Sequence, residues 1–234
     1  MLSSTTTCRP AKIGPVLVRI QPGASGEAAR AARVGVGTAT PEQVAALHDA
    51  APPEFKIAVV LGAGLGLRQA EASGLTVDRI DWFGRAVRID RQWITKRRTF
   101  GQPKTNASDR TIPASASVIA ELSKHRADGF VLHRDGAPID SNAFNWLWRK
   151  TLKRAGLAGI RYHDLRHAFA SALISGGFSV KAVQKALGHS SAATTLDVYG
   201  HLWPGDEDRI RDAVDRAFAP AEGSLRTGTG VVDA

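Results

Sequence analysis

A tyrosine towards the end of the chain lies close in sequence to several histidines and an arginine. Tyr199 follows the segment HDLRH at residues 163–167 and comes shortly after His189. A phenol can act as a nucleophile when neighbouring side chains take its proton and stabilise the charge on the group that it attacks. A free tyrosine has a pKa of about 10, so only about one in a thousand is ionised at pH 7 and such help is needed. The pattern predicts covalent attack on a phosphodiester.

Two arginines could bind the charged oxygens of such a phosphodiester. A guanidinium is planar, stays charged and donates two parallel hydrogen bonds to phosphate. Arg68 and Arg166 are the candidates. We expect each at the start of a helix, where free backbone N–H groups and the helix dipole also attract anions. Taken alone, an arginine at a helix start is more often an ordinary surface or salt-bridge residue.

Five segments that contain these residues occur in a fixed order. They are GLRQAE at 66–71, PKTNASDRTIP at 103–113, HDLRH at 163–167, LGH at 187–189, and Tyr199. In composition, order and spacing the set resembles the motifs of the tyrosine recombinases, also called phage integrases. The resemblance covers roughly residues 38–204, the catalytic domain of that family.

The resemblance implies that three side chains bind one scissile phosphate of double-stranded DNA. Arg68 and Arg166 would clamp its nonbridging oxygens, and His189 would add a hydrogen bond to the same group. No metal or other cofactor is expected in such a site.

The resemblance also implies which residues attack and which transfer protons. Tyr199 would attack phosphorus, forming a 3′-phosphotyrosyl bond and freeing a 5′-hydroxyl, and His163 would accept and return the phenolic proton. Lys104, in a loop between two strands, would protonate the leaving oxygen. The phosphotyrosyl bond keeps the energy of the broken bond, so four such steps exchange strands without ATP, on a homo-tetramer assembled on DNA.

Other interpretations of the same residues stay open. His163 and His167 are four apart and could face one zinc ion on a helix, but the glutamate expected after the first histidine is Asp164 and a third ligand is not evident. We expect His167 to be packed or hydrogen-bonded in the core. A type IB topoisomerase would use the same tyrosine chemistry to relax supercoils, and a truncated remnant would bind DNA without cutting it.

Composition favours a nucleic-acid partner. Lys and Arg total 31 against 22 acidic residues, a formal net charge of +9, and such an excess favours a polyanion. No run approaches the roughly 20 apolar residues that cross a bilayer, so membrane binding is not expected. The single cysteine, Cys8, cannot form an intramolecular disulfide, and the first residues do not resemble a secretory signal. These features predict a cytoplasmic protein.

We expect three regions along the chain. Residues 1–37 are predicted to be a flexible arm or linker, 38–204 the catalytic domain, and 205–234 a C-terminal helix with a flexible tail. Tyrosine recombinases usually carry a further helical domain that closes around DNA, and residues 1–37 lack the length and periodicity for it. Weak DNA affinity is therefore expected, because fewer phosphates would be neutralised.

The periodicity predicts a mainly α-helical α+β fold with a small three-stranded antiparallel sheet. Expected helices are one that begins at Pro41, 55–61, a helix opened by Arg68, 116–126, 141–155, 166–174, 180–187, 194–201 and an amphipathic segment at 208–218, and expected strands are 75–82, 86–94 and 109–113. The glycines at 62, 64 and 66 are expected to break the second helix. A long polar loop is expected at 96–108.

Basic residues outside the motifs are candidates for contact with the DNA backbone. Arg97 and Arg98 lie in the predicted polar loop, and Arg149 and Lys153 share the predicted helix 141–155. Exposed arginine and lysine side chains neutralise phosphates without reading sequence. The same helix contains Trp146 and Trp148, of which we expect at least one in the core.

Overall fold

The computed structural model describes residues 38–102, 106–127, 129–203, 205 and 207–218. The predictions for the arm at 1–37, for Lys104 and for the tail after residue 218 lie outside these residues. The chain divides into two compact units, one up to Leu202 and one from Trp203 onwards. The residues predicted to act on phosphate that the structure describes all belong to the first unit.

The described residues form a mainly helical α+β fold. The helices are α1 (Pro41–Ala50), α2 (Lys56–Leu65), α3 (Gln69–Gly74), α4 (Ala116–Leu122), α5 (Ser141–Ala155), α6 (Tyr162–Ser175), α7 (Val180–Leu187), α8 (Ala192–Tyr199) and α9 (Glu207–Phe218). The strands are β1 (Ile80–Asp81), β2 (Ala86–Ile89), β3 (Gln92–Ile94), β4 (Thr99–Gly101), β5 (Arg110–Pro113), β6 (His133–Arg134) and β7 (Ala137–Pro138).

Strands β1, β2 and β5 form the predicted three-stranded antiparallel sheet, in that order. Val87 is the Cα partner of Ile80 on one side and of Ile112 on the other, and these three apolar side chains are buried. The fold class predicted from the sequence is therefore confirmed.

Three details of the strand prediction were wrong. Of the strand expected at 75–82, only Ile80–Asp81 forms β1, because Val77–Arg79 is a short 3-10 helix. The segment expected as one strand at 86–94 is divided between β2 and β3, and β3 pairs with β4, which occupies part of the expected loop at 96–108. The reason is aromatic packing across this hairpin. The Trp93 and Phe100 rings meet edge to face with centroids 5.4 Å apart, and both rings also contact Phe130.

Side-chain caps begin several helices where the sequence predicted them. Thr40 accepts a hydrogen bond from the backbone of Gln43, whose side chain accepts one from the backbone of Thr40, a capping box at the start of α1. The Asp140 side chain accepts a hydrogen bond from the backbone N–H of Ala143 at the start of α5. The Ser179 side chain accepts one from the backbone N–H of Ala182 at the start of α7. The predicted range 141–155 of α5 is confirmed to the residue.

The prediction that the glycines at 62 and 64 break α2 was wrong. Gly62 and Gly64 lie inside α2, which ends only at Gly66, where the backbone is left-handed with φ of 62°. A Cβ on Gly62 would come within 2.9 Å of the Leu165 Cβ, and one on Gly64 within 2.6 Å of Val118. These glycines permit close helix packing, which a propensity argument does not detect.

Helix α6 begins four residues earlier than predicted. Asp164 accepts a hydrogen bond of 2.7 Å from the backbone N–H of Arg161, so the helix starts at Tyr162. Arg166 therefore lies in the second turn of α6. The expectation that free backbone N–H groups of a helix start support Arg166 was wrong.

Helices α2 and α6 pack against each other at the centre of the first unit, where their apolar side chains join the core. Helix α9, in the second unit, carries Ile210, Val214 and Phe218 at spacings of four, which gives it one apolar face, as predicted. In the part of the chain that the structure describes, no helix is both long enough and apolar enough to span a bilayer.

Candidate active site

The C-terminal end of α7 holds three arginines from three different elements. Three successive backbone carbonyls there each accept a hydrogen bond from one guanidinium. Arg110 Nε donates to Ala186 O (2.8 Å), Arg166 Nη2 donates to Leu187 O, and Arg68 Nη2 donates to Gly188 O (3.4 Å). The last carbonyls of a helix lack intrahelical partners and carry partial negative charge, so cations are favoured at this end.

Arg68 lies at the N-cap of α3, where it pairs with Glu71. Its backbone N–H donates to Oε2 (2.9 Å) and its Nη1 to Oε1 (2.7 Å) of that carboxylate. Glu71 is also bonded by Arg110, through Nη1 to Oε1 (3.2 Å) and Nη2 to Oε2 (3.0 Å). Burial alone would raise the pKa of Glu71, but the hydrogen bonds and charge of Arg110, with the charge of Arg68, hold it at about 2. Glu71 is therefore ionised and shared by two arginines.

Arg166 is the largest of the fully buried side chains, at 1% exposed. Its Nη1 donates to Gly66 O (2.6 Å), the carbonyl of the left-handed residue that ends α2. Burial, reinforced by the charge of Arg68, lowers the pKa of Arg166 to about 9, which leaves it protonated at neutral pH. The guanidinium is thus held between the end of α2 and the end of α7.

His189 follows directly on the end of α7. Its backbone N–H donates to Gln184 O, and its Nδ1 lies 3.0 Å from Oγ1 of Thr195, a fully buried residue of α8. Burial, reinforced by the charges of Arg166 and Arg68, lowers the pKa of His189 to about 4. The ring is therefore neutral at pH 7, and a hydrogen bond at Nδ1 leaves Nε2 for another partner.

Tyr199 and Thr195 lie four residues apart on the buried face of α8. The Tyr199 hydroxyl is 2.6 Å from Nδ1 of His167 on α6, in a buried contact. Burial raises the pKa of Tyr199 to about 12, and the charge of Arg166 opposes this shift. Thr195 and Tyr199 therefore each place a hydroxyl within hydrogen-bond distance of one histidine, His189 and His167 respectively.

His163 lies one helical turn before His167, and their rings meet edge to face with centroids 4.8 Å apart. The His163 side chain remains open to solvent on one side. Loss of hydration on its inner side, reinforced by His167 and Arg166, lowers its pKa below the ordinary range. His163 lines a surface cleft of about 540 Å³ together with Arg149 of α5.

The other basic candidates lie on the surface. Arg149 and Lys153 are exposed one turn apart on α5, and of the two Arg149 lines the cleft that contains His163. Arg97 and Arg98 are exposed in the turn between β3 and β4. Of the two tryptophans of α5, Trp148 is buried and Trp146 is half exposed, as the helical spacing predicted.

His163 and His167 do not form part of a metal-ligand cluster. Among the described residues, no three side chains of histidine, cysteine, aspartate or glutamate come together in a way that could hold a metal ion. His167 uses its Nδ1 for the Tyr199 hydroxyl instead.

Two residues of the candidate active site, Arg110 and Thr195, were not predicted from the sequence. Arg110 alternates with Ile112 on β5, and both side chains are buried, so the period of the strand places a charge on its inner face. A buried charge requires a partner, and that requirement was the available signal. Thr195 lies four residues before Tyr199, on the same helical face, but threonine spacing by itself does not indicate contact with His189.

Known proteins resemble this chain in sequence. The sequence profile of the Phage integrase family matches residues 38–204. A curated relative, the tyrosine recombinase XerC-like protein of Caldanaerobacter subterraneus subsp. tengcongensis, is 29% identical over 194 residues, which cover 70% of this chain and 50% of the relative. The chain thus spans about half the length of the curated relatives it matches.

Solved structures share the fold at low sequence identity. The Tn1549 transposon integrase, in complex with circular intermediate DNA, superposes with a TM-score of 0.62 at 22% identity, covering 76% of this chain and 66% of that chain. The catalytic domain of bacteriophage HP1 integrase gives a TM-score of 0.52 at 20% identity, covering 79% of this chain and 95% of that domain. The fold and the site define a helical domain that gathers arginines, histidines and a tyrosine. The chain belongs to the phage integrase family, the tyrosine recombinases.

Proposed function

We propose that this protein cuts and rejoins double-stranded DNA through a 3′-phosphotyrosyl intermediate, with residues 38–204 as the catalytic domain and Tyr199 as the nucleophile. The observation that carries the proposal is the convergence of Arg68 and Arg166 on adjacent carbonyls at the end of α7, directly before His189. This convergence assembles two cations and a neutral imidazole, which suits a phosphodiester with one negative charge.

In the proposed step, Tyr199 Oη attacks phosphorus while the bond from phosphorus to the 5′-oxygen breaks. The phenolic proton leaves to the histidine pair on α6, with His163 as acceptor, and the 5′-oxygen takes a proton from Lys104. Because the pKa of His163 is lowered, its ring is neutral at pH 7 and can accept that proton. The reverse step returns both protons and rejoins a strand, so no cofactor is consumed.

Arg68, Arg166 and His189 stabilise the charge that builds on the nonbridging oxygens during attack. Donors that are already in place when charge develops are worth about 10²–10³ in rate each, because they need no reorganisation. The buried bonds of Arg166 to two backbone carbonyls, and of Arg68 to Glu71, keep both guanidiniums in place before DNA arrives.

DNA would lie across the face that carries the cleft. Arg149 and Lys153 on α5, with Arg97 and Arg98 on the β3–β4 turn, are exposed and would neutralise backbone phosphates. Site-specific recombination needs four active sites on two duplexes, so we propose a homo-tetramer on DNA.

The test is covalent capture. A nicked duplex whose short 5′-hydroxyl fragment diffuses away after cleavage traps the intermediate, which is then seen as a protein–DNA adduct in a denaturing gel. Wild-type protein should form the adduct on duplexes that it binds, and Tyr199→Phe should bind them with the same affinity but form none. Binding by the wild type without any adduct would overturn the proposal and favour a non-catalytic DNA-binding remnant.

A second assay separates recombination from a topoisomerase. Plasmids that contain two copies of a cleaved sequence should yield exchange products. Relaxation of supercoils without exchange would instead indicate type IB topoisomerase activity.

A further inference from the structure

Arg110 has no part in the proposed chemistry, yet it is among the most buried charges of the protein. It begins β5, and its side chain is 2% exposed. Burying a guanidinium is costly unless its donors are all satisfied. Its position therefore calls for a role that compensates for this cost.

The guanidinium of Arg110 connects three segments of the chain. It donates to both oxygens of Glu71 on α3, to Ser108 O in the segment before β5 (3.0 Å), and to Ala186 O in the last turn of α7 (2.8 Å). Only the planar fork of arginine presents donors in these several directions at once. Through Glu71 it reaches Arg68, and through α7 it reaches His189.

The connection to Arg68 has an electrostatic consequence. Arg68 and Glu71 alone would have no net charge. Glu71 would then neutralise the cation that is proposed to bind phosphate. With Arg110 on the same carboxylate, the three side chains carry one net positive charge. Arg110 also fixes both carboxylate oxygens, so the hydrogen bonds that Arg68 donates to Glu71 hold Arg68 in one direction.

The connection to His189 is made through the turn at Gly188. This residue ends α7 in a left-handed conformation with φ of 64°, and a Cβ there would lie 3.0 Å from both Cδ and Nη1 of Arg110. Its carbonyl accepts from Arg68 and from Ser108 Oγ (3.5 Å). Arg110 therefore packs directly under the turn that leads into His189.

We propose that Arg110 is a positioning residue, which fixes Glu71 and the end of α7 so that Arg68 and His189 are aligned on one phosphate. This inference rests on the proposed function for its consequence in cleavage. The arrangement itself concerns the free protein and can be measured there.

The informative variant is Arg110→Lys in the full chain. Lysine keeps a positive charge for Glu71 but cannot reach Glu71, Ser108 and Ala186 together. At saturating nicked duplex, cleavage should slow about 10²-fold, as expected for a misalignment of about 1 Å, while DNA affinity changes little. The matched control is Leu47→Ala, a fully buried residue of α1 whose truncation destabilises the fold but should leave the cleavage rate of folded protein unchanged.

A methylphosphonate at the scissile position separates alignment from general damage. Replacing one nonbridging oxygen by methyl removes the negative charge that Arg68 would bind. The Arg110→Lys defect should therefore shrink on this substrate, as should that of Arg68→Ala. An undiminished defect, cleavage at the wild-type rate, or a loss no larger than that of Leu47→Ala would overturn the proposal.

Inorganic phosphate tests the same alignment without cleavage. Its binding, followed through the ring resonances of His189, should weaken about tenfold in Arg110→Lys and not in Leu47→Ala. Phosphate binding could weaken in Arg110→Lys while the wild type forms no adduct with DNA. That combination would retain the positioning role and reject the proposed function. Unchanged phosphate affinity in Arg110→Lys would reject the positioning role.

Discussion

The hydroxyl of Tyr199 lies 2.6 Å from Nδ1 of His167, although the two residues are 32 positions apart in the chain. This bond joins α8 to α6 and holds the proposed nucleophile inside the protein, where Tyr199 is 3% exposed. In the proposed step, this bond is the contact through which the phenolic proton passes to the histidine pair on α6. The phenol is therefore both buried and paired in the free protein.

The Tyr199–His167 pair should be measurable as a coupling energy. His167→Ala leaves the hydroxyl without its partner, and an unsatisfied buried polar group costs about 1–3 kcal/mol. Tyr199→Phe removes the hydroxyl itself. The sum of the losses in free energy of unfolding of the two single variants should therefore exceed the loss of the double variant. Urea denaturation of the four proteins measures this. Additive losses would mean that the bond contributes nothing to stability.

His189 should titrate far below an ordinary histidine. Its folded pKa of about 4 lies below the ordinary value of 6.5, so the ring stays neutral as pH falls from 7 to about 4. The stability that this contributes is present above pH 6.5 and is lost as pH falls towards 4, since the unfolded state binds the proton first. Ring resonances of His189, assigned with His189→Gln, measure the value.

Arg68→Ala provides the control for this titration. Removing one of the cations that repel the imidazolium should raise the pKa of His189. An unchanged titration would show that the Arg68 charge does not reach the ring.

Glu71 should make the fold sensitive to acid. Its folded pKa of about 2 lies below the ordinary value of 4.5, so its contribution to stability is present above pH 4.5 and is lost as pH falls towards 2. Glu71→Gln should be destabilised at pH 7 by about 3–5 kcal/mol, since two arginines lose their partner, and should lose less on acidification. Urea denaturation at several pH values measures both effects.

A surface ion pair gives the matched control for Glu71. Glu121→Gln breaks the pair with Lys124, whose side chain is well exposed, and should cost no more than about 1 kcal/mol. Equal losses in the two variants at pH 7 would contradict the role given to the buried pair.

Gly62→Ala should destabilise the protein although alanine favours helix by about 1 kcal/mol. The added Cβ would lie 2.9 Å from the Leu165 Cβ, an atom next to the backbone of α6 that cannot move alone. Thermal unfolding should show a lower Tm. Gly200→Ala, where the nearest side chain is 4.0 Å away and φ is −54°, should show a Tm that is unchanged or higher. A stabilised Gly62→Ala would refute the close packing of α2 on α6.

Lys104→Ala should slow cleavage because the 5′-oxygen loses its proton donor. A duplex with sulfur at the 5′-bridging position should restore much of the rate, since a thiolate leaves without a proton. Arg68→Ala should gain no comparable restoration. Adduct formation on the two substrates measures this, and equal defects for Lys104→Ala on both would assign the lysine another role.

Much of this protein was determined by local sequence. Helix α5 lies at the predicted range because Asp140 caps it, Gly156 ends it in the left-handed region, and its apolar residues recur at helical spacing. The motifs around Arg68, His163 and Tyr199 indicated the family. Such signals are readable because each depends on residues a few positions apart.

Only the tertiary structure decided how these side chains meet. The three arginines bonded to the end of α7 come from the N-cap of α3, from β5 and from α6, and no local pattern relates Arg110 to Ala186 or His167 to Tyr199. Even the glycines of α2 have a meaning only against the helices that pack on them, with Gly62 facing α6 and Gly64 facing α4. The sequence alone determined which elements form and which chemistry their residues could perform, because capping and periodicity act within one element. The partners of the buried charges and of the tyrosine were decided by packing between distant elements, where a charge or hydroxyl removed from water must be satisfied by whichever group the fold brings to it.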